Sequence, residues 1–495
     1  MEKGQNCIAI VFQINNFIIF LKDYEMEKEE IMNLEPGNCR HWRGVGDALL
    51  AMRASLASMH ACWRWPRWGL LILACQAGTT VSAAPVSGKL LQYKSSVSRD
   101  GNGPLDLRAE LNYDESRTNT PIAVVMHAYG SGGGNDQGLF IGLRPNAQRL
   151  RDAGFFVITV AMRGRENSDG RGDSGGVEIY DIYDAIETVK IQYADLVDPG
   201  NISITGYSGG GGNAMSALTK FPDYFRAGSA YFGMSDYGHD TENGWYFKGA
   251  DAGNKNGLNA YIGDPGSGNP AIKDRYYARA SNLASRNNPY SEIHLFVNDN
   301  EWNCPPVNDT SYRDNAVAAA SFPGEFNNIH VHVADTANPQ YVDFNGDGKN
   351  DPGEKQYWPH QYPTADQQHA AEAWYMRRLL DGGIPQPQLK AAGELFVAGY
   401  IRTKSFAFWL GDGQNAAATL TYDLSAKTKT FAVHVLSSDP GVTGWLEVNT
   451  QDMKGSTASV LLDGKRIGQF ICGGVYRHNA LGDLQTLTLT TVTEP

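Results

Sequence analysis

Residues 202–220 read ISITGYSGGGGNAMSALTK, and the fold turns on how Ser208 sits within them. Ile202 and Ile204 belong to a short β-branched run that suits a buried strand. Asn213 to Leu218, rich in Ala, Met and Leu, suits a helix. Between them Gly206-Tyr207-Ser208-Gly209-Gly210 has the spacing G-x-S-x-G. In a strand–Ser–helix context the turn is so sharp that the serine backbone is strained and only small residues fit beside it. That geometry lifts the hydroxyl to the helix N-terminus, where the dipole favours developing negative charge. A turn without chemistry could share the five residues. The strand before them and the helix behind make Ser208 a candidate nucleophile.

Outward from that stretch, strands and helices alternate between about residues 86 and 382, the pattern of an α/β sheet covered on both faces. PIAVVMHAYG from Pro121 and FFVITVAMRG from Phe155 read as buried strands, with a helix around 146–153 between them. Residues 177–193 place Ile179, Ile182, Tyr183, Ile186 and Val189 on one helical face. RAGSAYFG, EIHLFV from Glu292 and IHVHVAD from Ile329 read as further strands, and TADQQHAAEAWYMRRLL as a last helix capped by Thr364. The Gly, Asn, Tyr and Asp-rich segment 235–290 interrupts the rhythm and suits a cap over a site. After the linker GGIPQPQ, period-two strands such as SFAFWLG, ATLTYDL, TFAVHVL and TLTLTTV predict an antiparallel β-sandwich from 388 to 495.

An activated serine needs a histidine held by a carboxylate and two N–H donors for an oxyanion, and in such a fold the chain order is Ser, acid, His. The acid is expected after EIHLFV, where NDNEWNCPP offers Glu301, four residues before Pro305, with Asp299 as the alternative. The histidine is expected on the loop entering the last helix, which selects His360 over His369. His330 and His332 alternate within a strand and suit packing or exposure. Gly209 N–H is one oxyanion donor, and Tyr129 N–H in HAYGSGGG is the candidate for the other, with His127 as a loop-orienting residue.

With these residues in hand, GRGDSGGVEIYDIYDAIETVK, VDPGNISITGYSGGG and FPDYFRAGSAYFG together resemble the catalytic domain of prolyl oligopeptidase-type α/β-hydrolases. DRYYARASNL and the acid and histidine loops continue the likeness in order over roughly 105–382. The resemblance implies a serine hydrolase. Family peptidases usually carry a β-propeller ahead of this domain, and residues 84–105 are too few to hold one. The HAYG loop is similar to the H-G-Y-x oxyanion loop of acetyl xylan esterase-like members, with Ala128 in place of Gly. The C-terminal sheets are similar to those of secreted Xaa-Pro peptidases and of cocaine-esterase-type enzymes. Glu301 where Asp is usual, and an insertion before His360, depart from the pattern. The expected activity is cleavage of carboxylic esters through an acyl-enzyme, with a serine peptidase as the alternative. A catalytically weak scaffold that binds polysaccharide is a third reading, and the expected substrate is an ester or peptide, possibly polymer-derived.

That insertion, DFNGDGKNDPGE, places Asp343, Asn345, Asp347, Asp351 and Glu354 at positions 1, 3, 5, 9 and 12 of an EF-hand loop. Lys349 supplies its carbonyl at 7 and Gly348 the sharp turn at 6, so a structural Ca²⁺ is expected. Arg171-Gly172-Asp173-Ser174 spells an adhesion tetrapeptide but reads better as the loop after a core strand.

Residues 59–83 carry Arg64 and Arg67, an apolar core and Val81-Ser82-Ala83, the parts of a secretory signal peptide. The expected location is therefore secreted or periplasmic, with lipoprotein anchoring at Cys75 as the less favoured reading and no stable membrane span. Residues 1–58 would then be a mis-assigned extension, and the hydrolase domain 84–384. Four of the six cysteines fall before residue 84, leaving Cys304 and Cys472 as either one disulfide or two thiols. A net charge of −12 argues against nucleic acid as a partner.

Overall fold

The computed structural model describes residues 10–14, 17–21, 85–97, 103–127, 138–334 and 383–492. Two compact units divide the chain at Thr79/Thr80. In the first, Ile10–Ile14 and Phe17–Leu21 pair antiparallel, Ile10 opposite Leu21.

The second unit is built on eight strands: β1 (Pro85–Lys94), β2 (Asp106–Asp114), β3 (Thr120–Met126), β4 (Phe156–Ala161), β5 (Val197–Tyr207), β6 (Ala227–Tyr231), β7 (Glu292–Asn298) and β8 (Ile329–Ala334). They form one sheet in the order β8-β7-β6-β5-β3-β4-β2-β1. From β4 to β8 every pair is parallel, whereas β1 and β2 join antiparallel at the far edge. Every residue of β3, β4 and β6 is buried, as parallel strands covered on both faces require. The chain crosses from β3 to β4 on one side and returns past β3 to β5 on the other. The carboxyl ends of β3 and β5 therefore bound the crevice where open α/β sheets bind ligands.

Helix α1 (Leu139–Asp152) starts seven residues before the expected 146 and runs through Pro145. Phe140 and Leu143 continue its buried face past the proline, whose lost N–H bond the packing outweighs. Helix α2 (Tyr180–Gln192) follows a short 3₁₀ turn at Val177–Ile179 and buries Ile182, Ile186 and Val189 as its spacing predicts. Asp173 is wholly buried and accepts the N–H groups of Gly176 and Val177 at 2.9 and 2.7 Å. The tetrapeptide is thus a helix-capping loop, with its carboxylate turned inward. Helix α3 (Gly209–Lys220) is buried along its whole length. The segment 235–290 folds into short helices, among them α4 (Ala252–Tyr261) and α5 (Pro270–Tyr277), and α6 (Val307–Ala318) follows the acid loop. Among the described residues no helix is long and apolar enough to cross a membrane.

C-terminal to the eight-stranded sheet, ten antiparallel strands between Ala392 and Thr491 form a six-stranded and a four-stranded sheet. Alternation along Thr428–Val435 turns Phe431, Val433 and Val435 into the core they share. Tyr180 of α2 packs on Tyr400 and Trp409 of this region, at centroid distances of 5.6 and 5.3 Å, and Tyr400 stacks on Trp409 at 4.2 Å. Arg279 donates to Asp173 O and Gln414 O at 2.9 Å each, so one buried guanidinium joins both parts. Cys304 and Cys472 are free thiols buried in separate clusters, which settles the cysteine alternative for thiols.

Candidate active site

Ser208 follows the last residue of β5 and caps α3 with φ 53° and ψ −120°, a backbone region that costs a non-glycine residue about 1–3 kcal/mol. Its N–H donates to Tyr231 O at 2.9 Å and its carbonyl accepts from Gly212 N–H at 3.0 Å, bonds that hold the strained turn. Two glycines make that turn possible through close approach. A methyl on Gly206 would lie 2.2 Å from Gly210 O, and one on Gly210 would lie 2.4 Å from Met126 O. Gly210 thus packs on the carboxyl end of β3, where the loop HAYGSGGG departs. Gly209 is the first residue of α3, so its N–H has no acceptor within the helix. Ser208 itself is part-exposed, while Gly209 and Gly210 are buried.

A row of stacked rings closes the sheet beneath the serine. Tyr207, Tyr231, Phe296 and His332 stand at matching positions on β5, β6, β7 and β8, each 4.7 Å from the next. Asn146 Nδ2 donates to the Tyr207 hydroxyl at 3.3 Å, tying α1 to this row.

The loop after β7 separates the two candidate acids. Glu301 is 4 % exposed, and its Oε1 accepts the N–H groups of Asn303 and Cys304 at 2.9 and 3.2 Å. Bonds of this kind to a charged group contribute about 1.5–3 kcal/mol each and fix the carboxylate. Asp299 is exposed, and its N–H donates to Ala334 O at 2.9 Å. Trp245 Nε1–H donates to Asn303 O at 2.7 Å, so the inserted segment braces the same loop.

Cys304, which sequence reasoning assigned only to the disulfide question, connects this loop to the serine. Its N–H binds Glu301, and its thiol lies 3.2 Å from Met234 Sδ and within hydrogen-bonding reach of the Ser208 side chain. Burial, followed by the charge of Glu301, pushes the thiol up, so it stays protonated beside Ser208. Asp309 in the first turn of α6 was also missed. It is fully buried, neither carboxyl oxygen has a hydrogen-bond partner among the described residues, and burial followed by the charge of Glu301 pushes it up toward the neutral acid. The spacing Glu301-x-x-Cys304 ahead of two prolines was the available signal for Cys304, whereas nothing local marked Asp309.

The structure therefore brings Ser208, Gly209, Glu301 and Cys304 together at the carboxyl ends of β5 and β7. Such a group can supply a nucleophile, an oxyanion donor and an orienting carboxylate. His127 directly follows β3 and is buried. Tyr129 and His360 lie outside the described residues. So do Asp343, Asn345, Asp347, Lys349, Asp351 and Glu354 of the calcium-type loop, and residues 59–83 with Cys75.

Residues 142–315 match the model of the prolyl oligopeptidase family. No curated protein matches the chain. Among solved structures, Pyrococcus horikoshii acylaminoacyl peptidase is 16% identical over 62% of this chain and 43% of its own, with a TM-score of 0.41. A Mycobacterium tuberculosis puromycin-hydrolyzing peptidase is 18% identical over 59% of this chain and 39% of its own, at 0.41. The Pyrococcus furiosus esterase Pf2001 is 13% identical over 50% of this chain and 83% of its own, at 0.35. The chain thus spans less than half the length of the two peptidases it is similar to.

Proposed function

We propose, from the premise that residues 142–315 belong to the prolyl oligopeptidase family of serine hydrolases, that Ser208 cleaves acyl bonds of a peptide or related amide through an acyl-enzyme. The observation that carries this is the Ser208 backbone at φ 53° between β5 and α3. In the proposed mechanism His360 takes the Ser208 proton as Oγ attacks the carbonyl carbon, and Glu301 orients that histidine. The oxyanion rests on Gly209 N–H and Tyr129 N–H. His360 then protonates the leaving amine, and water attacks the acyl-enzyme to release the acid. Cys304, a neutral thiol, lies within hydrogen-bonding reach of the nucleophile. Two further parts of the proposal rest on sequence pattern: Ca²⁺ bound by 343–354 and export directed by 59–83.

The family match moves the preference from ester to peptide. Carboxylic ester cleavage is the second reading, favoured by the likeness of His127-Ala128-Tyr129-Gly130 to an esterase oxyanion loop. A panel of Xaa-Pro amides, N-acyl aminoacyl amides, nitrophenyl acetate and feruloyl esters tests the choice. Turnover of amides above esters, lost in Ser208→Ala, supports the proposal. Ester turnover alone replaces it with the second reading, and no Ser208-dependent turnover or labelling leaves a binding scaffold.

A further inference from the structure

The histidines of β7 and β8 form a second cluster, apart from the serine. Glu292 and His294 alternate on β7, His330 and His332 on β8, and His330 stands opposite His294 in the parallel register. Glu292 Oε1 lies 3.1 Å from His294 Nε2 and 3.5 Å from His330 Nε2. One ligand atom from each of these three residues falls within 4.8 Å of the other two, the one such group of three among the described residues. A tetrahedral Zn²⁺ with bonds of about 2.0–2.1 Å needs its ligands roughly 3.4 Å apart, and the two spacings from Glu292 Oε1, 3.1 and 3.5 Å, lie close to that.

The surroundings suit a bound ion as well. His294 Nδ1 lies 2.9 Å from His332 Nε2. If His332 accepts the Nδ1 proton, His294 presents an unprotonated Nε2 toward Glu292. Metal-bound histidines are commonly held in this way, through a hydrogen bond at the ring nitrogen that does not bind metal. His294 is 7 % exposed at its side chain, Glu292 26 % and His330 40 %, so the group opens to solvent on the His330 side. A water could complete the coordination from there. The packing role that alternation suggests for His330 and His332 accounts for the rings stacked on Phe296 at His332. It does not account for one carboxylate shared by His294 and His330.

We propose that Glu292, His294 and His330 bind one transition-metal ion of the Zn²⁺ type. The ion fastens the edge strand β8 to β7, the strand that leads into the Glu301 loop. It lies one side-chain row below Phe296 and His332, so it takes no part in attack on substrate.

The full chain, stripped of metal by chelation, is titrated with Zn²⁺ in competition with a chromophoric chelator, and separately with Co²⁺ followed by visible absorption. The expected result is one Zn²⁺ per chain, a Co²⁺ spectrum of tetrahedral intensity, and at least a tenfold weaker affinity in His330→Ala and in Glu292→Gln. His330 is the most exposed ligand, so its replacement leaves folding intact, checked by circular dichroism and by Ser208 labelling. Wild-type stoichiometry well below one, or equal affinity in the folded His330→Ala chain, overturns the site. A protein that binds Zn²⁺ but gives no tetrahedral Co²⁺ spectrum overturns the assigned ligand set.

Discussion

Replacing Gly210 by alanine should disable the nucleophile while leaving its hydroxyl in place. The added methyl would stand 2.4 Å from Met126 O and 2.5 Å from His127 O, and both are backbone atoms at the end of a fully buried strand. Reaching an ordinary contact of about 3.5 Å requires the start of α3 and β3 to part by roughly 1 Å. Overpacking of this kind costs about 1–3 kcal/mol of stability. The same displacement moves Gly209 N–H and Ser208 relative to the loop that follows β3, and a shift of about 1 Å can lower turnover on the order of 10²-fold. Purified Gly210→Ala should therefore show kcat/KM reduced about a hundredfold on the preferred substrate, a lower Tm and slower fluorophosphonate labelling. Wild-type kcat/KM with an unchanged Tm would refute the packing argument, since the methyl would then have found room that the structure denies it.

Three other outcomes follow from particular residues. Glu301→Gln keeps an acceptor for Asn303 and Cys304 N–H but loses the charge, and should lower kcat about 10³–10⁴-fold, with Asp299→Asn unchanged; the reverse result, read from steady-state kinetics, would make Asp299 the acid. Burial raises the Asp223 carboxyl to about 6 despite the Lys404 N–H it accepts, so between pH 3.8 and 6 the folded chain holds more protons than the unfolded one and this group's contribution falls as pH rises. Asp223→Asn should then gain up to about 3 kcal/mol at pH 7 and nothing at pH 4, measured by urea unfolding at both values. For the calcium-type loop at 343–354, EGTA should lower activity and Tm, with Ca²⁺ but not Zn²⁺ restoring both; no loss, or loss without restoration, counts against it.

The hydrolase core was legible because local and global preferences agree there. β-branched runs at 122–126, 156–160 and 202–205 are buried on both faces, and Gly206, Gly210 and Gly212 around Ser208 are needed by backbone contacts of under 3 Å. The same holds in the sandwich, where alternation along 428–435 matches burial. Less was visible where tertiary packing decides. Helix α1 passes through Pro145 because Phe140 and Leu143 extend its apolar face, and α6 was not anticipated because VNDTSYRDNAVA buries only Asn308, Asp309, Tyr312 and Ala316. Glu301 could be ranked above Asp299 by its distance to Pro305, but the physical difference is burial and two N–H bonds, which no spacing displays. Cys304 beside Ser208, the burial of Asp309, and the pairing of Glu292 with His330 all depend on chain segments brought together only by the fold.

The central claim is that Ser208 is an activated nucleophile, and covalent labelling tests it most directly. Intact-mass spectrometry after exposure to a fluorophosphonate should show one adduct per folded chain, located by peptide mapping on Ser208 and absent from Ser208→Ala. No adduct on the folded wild-type chain, or an adduct that persists in Ser208→Ala, would contradict the account.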